Sequence, residues 1–154
     1  MRIYVATSWR NTYQPEVVRL LREEGHDVYD FRDSGFSWQE VDEHWSNWTP
    51  VGYLRGLEHP CAKRGFERDM KALDWCEVCV YVTPCGPSAS MEMGWAKGAG
   101  KYVIVYVPEL READLMVKMA DFITAHFPEV LACIKVWACL KNLRTRFNIM
   151  EASV

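Results

Sequence analysis

Residues 83–101, TPCGPSASMEMGWAKGAGK, contain one acid, Glu92, among Gly, Pro, Ser, Ala, Met and Trp. The segment follows an apolar run and reads as a loop turning into a helix. On that helix Glu92 shares a face with Trp95, Ala96 and Ala99. A carboxylate on a face that packs against other elements is costly unless it has a partner or a task. Glu92 reads as lying in the first turn of that helix, so the electrostatic alternative is that it complements the macrodipole or closes a capping box, as acids in first turns do. The box fits poorly, because Ser88 is four residues before Glu92 and Ser90 only two. A second acid is placed alike. In CAKRGFERDMKALDWC (61–76), Phe66, Met70 and Leu73 form a helical stripe with Cys76. Asp69 falls inside that stripe, whereas Glu67, Arg68, Lys71 and Asp74 can turn to water. Asp69 is then either a buried acid paired with an Arg or a backbone donor, or the partner of Glu92. Two carboxylates meeting in one crevice, one nucleophilic and one able to carry a proton, form the constellation that cleaves glycosidic bonds.

Several elements must bring these acids together. RIYVATS (2–8), HDVYDF (26–31), EVCVYVT (77–83) and YVIVYV (102–107) read as strands, short and rich in β-branched and aromatic residues. PEVVRLLREEG follows the first, with Val17, Leu20, Leu21 and Glu24 at helical spacing and Gly25 as its stop. The helix of Glu92 lies between the third and fourth strands. Two more helices are expected near 110–125 and 128–141, with Met116, Met119 and Ile123, then Val130, Ile134 and Trp137, facing the core. Strands alternating with helices predict one α/β domain over 1–154, a doubly wound parallel sheet with helices on both faces. Ligands of such sheets bind at the carboxyl ends of the strands, where 6–10, 30–36 and 83–90 meet beside Glu92. The stretch 33–60 breaks the alternation with three Trp, two His and several acids. It is too long for a structureless loop, so it is read as short helices or a lid. Trp38, Trp45 and Trp48 make either a stacking platform for a flat ligand or a satellite cluster covering one sheet edge.

Composition narrows the function. With 154 residues, 49% hydrophobic and 25% charged, the chain can bury one core and is too apolar for disorder. A net charge of −3, with no Lys/Arg run longer than two, excludes the basic footprint of a nucleic-acid binder. MRIYVATSWR lacks the apolar core of a signal peptide, and residues 130–140, broken by Lys135, are too short to span a bilayer. A soluble, cytoplasmic protein with no membrane partner is expected. Without a secretory signal the six Cys read as reduced packing residues, and the Asn47-Trp48-Thr49 sequon carries little weight. Cys76 and Cys79 form a CxxC that runs into a strand instead of opening a helix. Cys61, Cys85 and His59 do not complete a zinc spacing. GWAKGAGK misses the phosphate-loop pattern, because Trp95 stands at the first Gly position and Tyr102 at the Ser/Thr position. No G-x-G-x-x-G follows the first strand. CGPSAS entering a helix can still hold one phosphate or hydroxyl on its amides and on Ser88 or Ser90. No metal or organic cofactor is expected.

Three stretches, IYVATSW (3–9), GFERDMKALDWCEVCVYV (65–82) and SMEMGWAKGAGK (90–101), resemble the nucleoside 2-deoxyribosyltransferase superfamily. That group includes the transferases and the 2′-deoxynucleoside 5′-monophosphate N-glycosidases. The resemblance runs from residue 2 to about 121. Its most specific part is MEMG with an Asp some two dozen residues upstream. It implies a flavodoxin-like parallel sheet, cleavage of the N-glycosidic bond of a nucleoside or nucleotide, and a homo-oligomer whose sites border a neighbouring subunit. It also implies that Glu92 is the nucleophile attacking C1′, that Asp69 assists protonation of the departing base, and that Tyr4 orients Glu92. Ser8, Trp9, Gly86, Ser88, Ser90 and Trp38 are the candidate substrate contacts. The helix N-terminus is expected to keep Glu92 ionised.

Two features keep the acceptor open. Transferases of the family carry an acid six residues before the nucleophile, on the sugar 5′-hydroxyl, and this chain has Gly86 there. The monophosphate hydrolases have a Ser in this loop, a place Ser88 can take. The Trp-rich insert, in contrast, can shield a glycosyl ester from water, as transfer requires. Beside these two reactions stand a non-catalytic nucleotide-binding module and a protein whose tryptophans dock a partner.

Overall fold

The computed structural model describes the backbone of residues 1–33 and 35–151, and side chains through residue 144 apart from Ser34. Ser34, within the insert, and the last three positions of the expected 1–154 domain lie outside the described residues. Five strands, β1 (Arg2–Ala6), β2 (Asp27–Tyr29), β3 (Val78–Val82), β4 (Tyr102–Tyr106) and β5 (Phe122–Thr124), form one sheet in the order β2-β1-β3-β4-β5. All four pairings are parallel. The helices are α1 (Gln14–Glu23), α2 (Pro50–Leu57), α3 (Pro60–Trp75), α4 (Pro87–Gly98) and α5 (Phe127–Glu151). The chain leaves β1 toward one edge and β3 toward the other, so the topological switch lies between those two strands. In an open parallel sheet that is where a ligand crevice forms.

Alternation along the strands divides the core in two. Ile3, Val5, Val78, Val80, Val82 and Ile104 point to one face, where Val17, Val18 and Leu21 of α1 and Val130 and Ile134 of α5 cover them. Tyr4, Ala6, Cys79, Tyr81, Val103 and Val105 point to the other, beneath Ala72 and Leu73 of α3 and Ala89, Met93 and Ala96 of α4. The doubly wound, flavodoxin-like fold expected from the sequence is therefore the fold observed. Helix α1 stops at Gly25, whose φ of +79° suits a residue without Cβ.

The structure corrects two expectations about elements. The helix expected near 110–125 is a 3₁₀ turn, Leu115–Met119, followed by β5. Met116, Met119 and Ile123 are exposed, not core-facing. The backbone donors and acceptors of β4 decide this. Residues 122–124 pair with Ile104, Val105 and Tyr106, Asp121 accepts from the Val103 amide at 2.8 Å, and an otherwise open edge is satisfied. Phe66 is also exposed, so the buried stripe of α3 is turned by one position to Ala62, Gly65, Ala72 and Leu73. Asp69, four residues after Gly65 and three before Ala72, stays on that stripe.

Close packing at Gly65 explains the turn. A Cβ there would stand 2.8 Å from Cβ of Phe36, so only glycine lets the insert press onto α3. Residues 33–60 form short helices, as one of the two readings held: 3₁₀ turns at Trp38–Glu40 and Trp45–Asn47, then α2. Trp38 meets Phe36, Trp48 and Tyr53 edge to face at 4.7, 5.5 and 5.8 Å. The Trp48 indole Nε1 donates to Asp42 at 2.5 Å. The insert is thus a satellite aromatic cluster docked one turn from Asp69. No helix among the described residues is long and apolar enough to cross a membrane.

Candidate active site

Tyr4 is central to the site because of where alternation puts it. It lies mid-strand in β1 on the α3/α4 face and is 1% exposed. In a parallel ladder, registered residues share a face, so Tyr29 of β2 and Cys79 of β3 flank it. The Tyr4 and Tyr29 rings stack with centroids 5.3 Å apart and planes 17° from parallel. Above them α4 presents Glu92, on the same helical face as buried Ala89, Met93 and Ala96, and α3 presents Asp69.

The two acids are each held by a tyrosine. The Tyr29 hydroxyl donates to Asp69 Oδ1 at 2.6 Å, and the Tyr4 hydroxyl donates to the Glu92 carboxylate. Burial and the negative charge of Asp69 push the Glu92 carboxyl up to about 8, against the opposing pull of the Tyr4 bond. Burial, with Glu92 and Asp69 nearby, likewise raises the Tyr4 phenol. Asp69 and Glu92 thus share one electrostatic environment, as the sequence reading paired them. One detail of that reading is overturned. The cap of α4 is Gly86, and no acid lies in its first turn, so Glu92 belongs to the second turn, where the dipole has faded. At neutral pH Glu92 holds a proton; the helix N-terminus does not keep it ionised.

This protonation has a consequence for stability. A carboxyl that titrates near 4.5 in the unfolded chain and near 8 in the folded one binds more protons folded than unfolded between those values. Its contribution is whole below about pH 4.5 and fades as pH rises through 8. Glu92→Gln removes the penalty of burying that charge, roughly 3 kcal/mol after allowance for partial solvation. The variant is expected to melt roughly 5–10 °C above the parent at pH 9 and level with it near pH 5. Melting curves across pH check this, and a gap that does not change with pH contradicts it.

The remaining candidates lie in the loop after β1 (Ser8, Trp9), in the insert after β2 (Trp38) and at the start of α4 (Gly86, Ser88, Ser90). Ser8 Oγ accepts from the Arg10 amide at 3.2 Å, so it shapes the loop after β1. Trp9 is 55% exposed, meets Phe31 edge to face at 5.0 Å and lies under the Arg32 guanidinium. Its indole also closes on Gly35, where a Cβ would come within 2.3 Å. Gly86 caps α4 with no side chain to occupy the first-turn amides, and Ser88 stands exposed in that turn. Ser90 Oγ and the Tyr81 hydroxyl share a hydrogen bond of 2.9 Å. Trp38, in contrast, has its ring contacts inside the insert's own cluster.

Sequence reasoning missed three residues that build this end of the sheet. Tyr29 was legible only as a strand residue, although its parity matches Tyr4 once β1 and β2 are registered. Tyr81 follows from the same alternation. Asn11, 2% exposed, carries no motif signal. Its amide donates to Val82 and Pro84 carbonyls at 3.2 and 2.9 Å, and its Oδ1 accepts from the Tyr13 and Gln14 amides. One side chain therefore ties the loop after β1 to the loop that carries Gly86. Thr7 adds a bond to Val82 O at 2.7 Å.

Elsewhere, a cavity of about 360 Å³ opens at the amino ends of the strands. Its acid, Glu77, is held by Arg2 and Lys141, which outweigh burial and bring its carboxyl down to about 2. All six Cys are free thiols, with Cys76 and Cys79 buried, and the described residues hold no cluster of His, Cys, Asp and Glu able to bind a metal.

The sequence matches no protein-family profile and no curated protein. Solved structures do resemble it. One is a 2-deoxyribosyltransferase from Bacillus psychrosaccharolyticus, with 19% identity and a TM-score of 0.59 over 84% of this chain and 90% of that one. Another is the CMP N-glycosidase BcmB of Clostridium botulinum, with 17% identity and a TM-score of 0.51 over 88% of this chain and 99% of that one. Both are members of the nucleoside 2-deoxyribosyltransferase superfamily. What they share with this chain at such identities is the fold, a flavodoxin-like parallel sheet with helices on both faces.

Proposed function

We propose that the protein cleaves the N-glycosidic bond of a (2′-deoxy)nucleoside or its 5′-monophosphate through a covalent ester on Glu92. The observation that carries this reading is a pair of coupled carboxylates on packed helix faces, each accepting a tyrosine hydroxyl. Structural neighbours that act on such substrates support it.

Glu92 begins protonated beside the Asp69 carboxylate. Its proton passes to Asp69, and the freed Glu92 oxygen attacks C1′ as the C1′–N bond breaks through an oxocarbenium-like transition state. The bonding electrons leave with the base, which takes the proton from Asp69. One O–C1′ bond has then formed, one C1′–N bond has broken, and the base departs neutral. Tyr4 fixes the attacking carboxylate. Water attacking C1′ of the ester releases the sugar and restores the proton to the carboxylate pair; a second base in its place gives transfer.

Gly86 favours a monophosphate donor in this proposal. The acid that would repel a 5′-phosphate in a low-dielectric pocket is absent, and the first-turn amides of α4, with Ser88 and Ser90, are neutral donors for it. The insert against α3 favours retention of the ester long enough for transfer. The protein is proposed to act without a cofactor, as a homo-oligomer in the cytoplasm, with Ser8 and Trp9 against the substrate.

A deoxynucleoside and its 5′-monophosphate, each with and without a second free base, decide between the two fates. Released base from at least one donor is expected. Preference for the monophosphate with no effect of added base identifies a hydrolase, and a new nucleoside formed only with added base identifies a transferase. No release from any donor returns the protein to a nucleotide-binding module.

A further inference from the structure

Tyr29 belongs to no motif, yet its hydroxyl donates a short hydrogen bond of 2.6 Å to Asp69 Oδ1. Its own oxygen accepts from the guanidinium of Arg68. A directed chain results, from Arg68 N–H to the Tyr29 oxygen and from Tyr29 O–H to Asp69. Each bond polarises the next, and a charged donor at one end strengthens both. Among the described residues nothing hydrogen-bonds Asp69 Oδ2, which is left as the oxygen for the departing base. The stacked Tyr4 ring stops the phenol from turning away.

We infer that Tyr29, held by Arg68 and by the Tyr4 ring, is a positioning residue that presents Asp69 to the leaving base. This rests on the proposed glycosidic cleavage and deepens it. The two tyrosines are register partners on adjacent strands, so the sheet itself sets the spacing of their hydroxyls and hence of the two carboxylates. The competing role is purely structural, with the Tyr29–Asp69 bond only tethering α3 to β2.

The two roles differ in what a lost hydroxyl does. Tyr29→Phe keeps the stacked ring and removes only the bond. The measurement uses the preferred donor among deoxynucleosides and their 5′-monophosphates, and a nitrophenyl deoxyriboside whose leaving group departs without a proton. With the natural donor kcat is expected to fall about tenfold or more, with KM within twofold of the parent. With the nitrophenyl donor the loss is expected to stay below threefold. Tyr29→Phe combined with Asp69→Asn should be no slower than Asp69→Asn alone, because both remove one function. Arg68→Gln loosens the same phenol from its other side and should show a smaller loss of the same selectivity; it also serves if Tyr29→Phe folds poorly.

Equal losses on both donors, additive losses in the double variant, or a change confined to KM overturn the inference while cleavage by the parent stands. A parent that releases nothing from either donor overturns the reading of the site and this inference with it.

Discussion

Glu92→Gln is expected to lower base release by about 10³-fold or more, while the fold and donor binding persist. The amide is nearly isosteric with the protonated carboxyl that occupies this place at neutral pH, and its oxygen can still accept from Tyr4. It cannot become an anion, so it cannot form the glycosyl ester or give a proton to the pair. Binding, which uses neither property, should change little, so the loss should fall on kcat. Mass spectrometry of the parent quenched during turnover with a slowly hydrolysed donor should show the protein plus one sugar residue, and the variant should not. Activity within about threefold of the parent would sink the nucleophile assignment.

Asp69→Asn is expected to slow cleavage of a natural donor by about 10²-fold and to leave a donor with an activated leaving group nearly untouched. A purine or pyrimidine departs as a poor leaving group unless protonated, whereas a nitrophenolate needs no proton. The ratio of the two losses isolates proton delivery from damage to the site, since damage would strike both donors. The substitution also removes the negative charge that helps hold the proton on Glu92. The acid limb of the pH–rate profile for the activated donor, which needs Glu92 only as an anion, should therefore shift to lower pH, because Glu92 ionises more readily without a like charge beside it. Equal losses on the two donors would make Asp69 structural, and the two-carboxylate mechanism would fail.

Much of this site could be anticipated because its signals are local. A lone acid on an apolar helix face marked Glu92, and an acid inside an apolar stripe marked Asp69. Both inferences needed only the 3.6-residue period, and Asp69 survived even when Phe66 proved to lie outside the stripe. The strands around Tyr4, Val80 and Ile104 were legible because β-branched runs have few other uses in a chain of this composition. Residues 110–125 misled for the complementary reason. Met116, Met119 and Ile123 have helical spacing, but the segment gains more from closing the open edge of β4 than from a helix with little apolar face to bury. The turn position of Glu92 was missed as well, because the helix begins at Pro87, further upstream than the acid's neighbours suggest.

Periodicity and residue type, which act over a few positions, thus settled the doubly wound class and most of the alternation of strands and helices, and placed the two candidate acids on packed helix faces. The tertiary structure decided what depends on partners far apart in the chain. It set Tyr29 against Asp69, forty residues away, and tied Asn11 to the loop after β3, more than seventy away. It also turned Trp38 and Trp48 of the insert onto each other, pressed Phe36 onto α3, and gave Glu92 its proton by burying it beside a second carboxylate. No local pattern encodes such contacts, because register, crossover and burial exist only once the sheet has assembled and the dielectric around each group has been set by its neighbours.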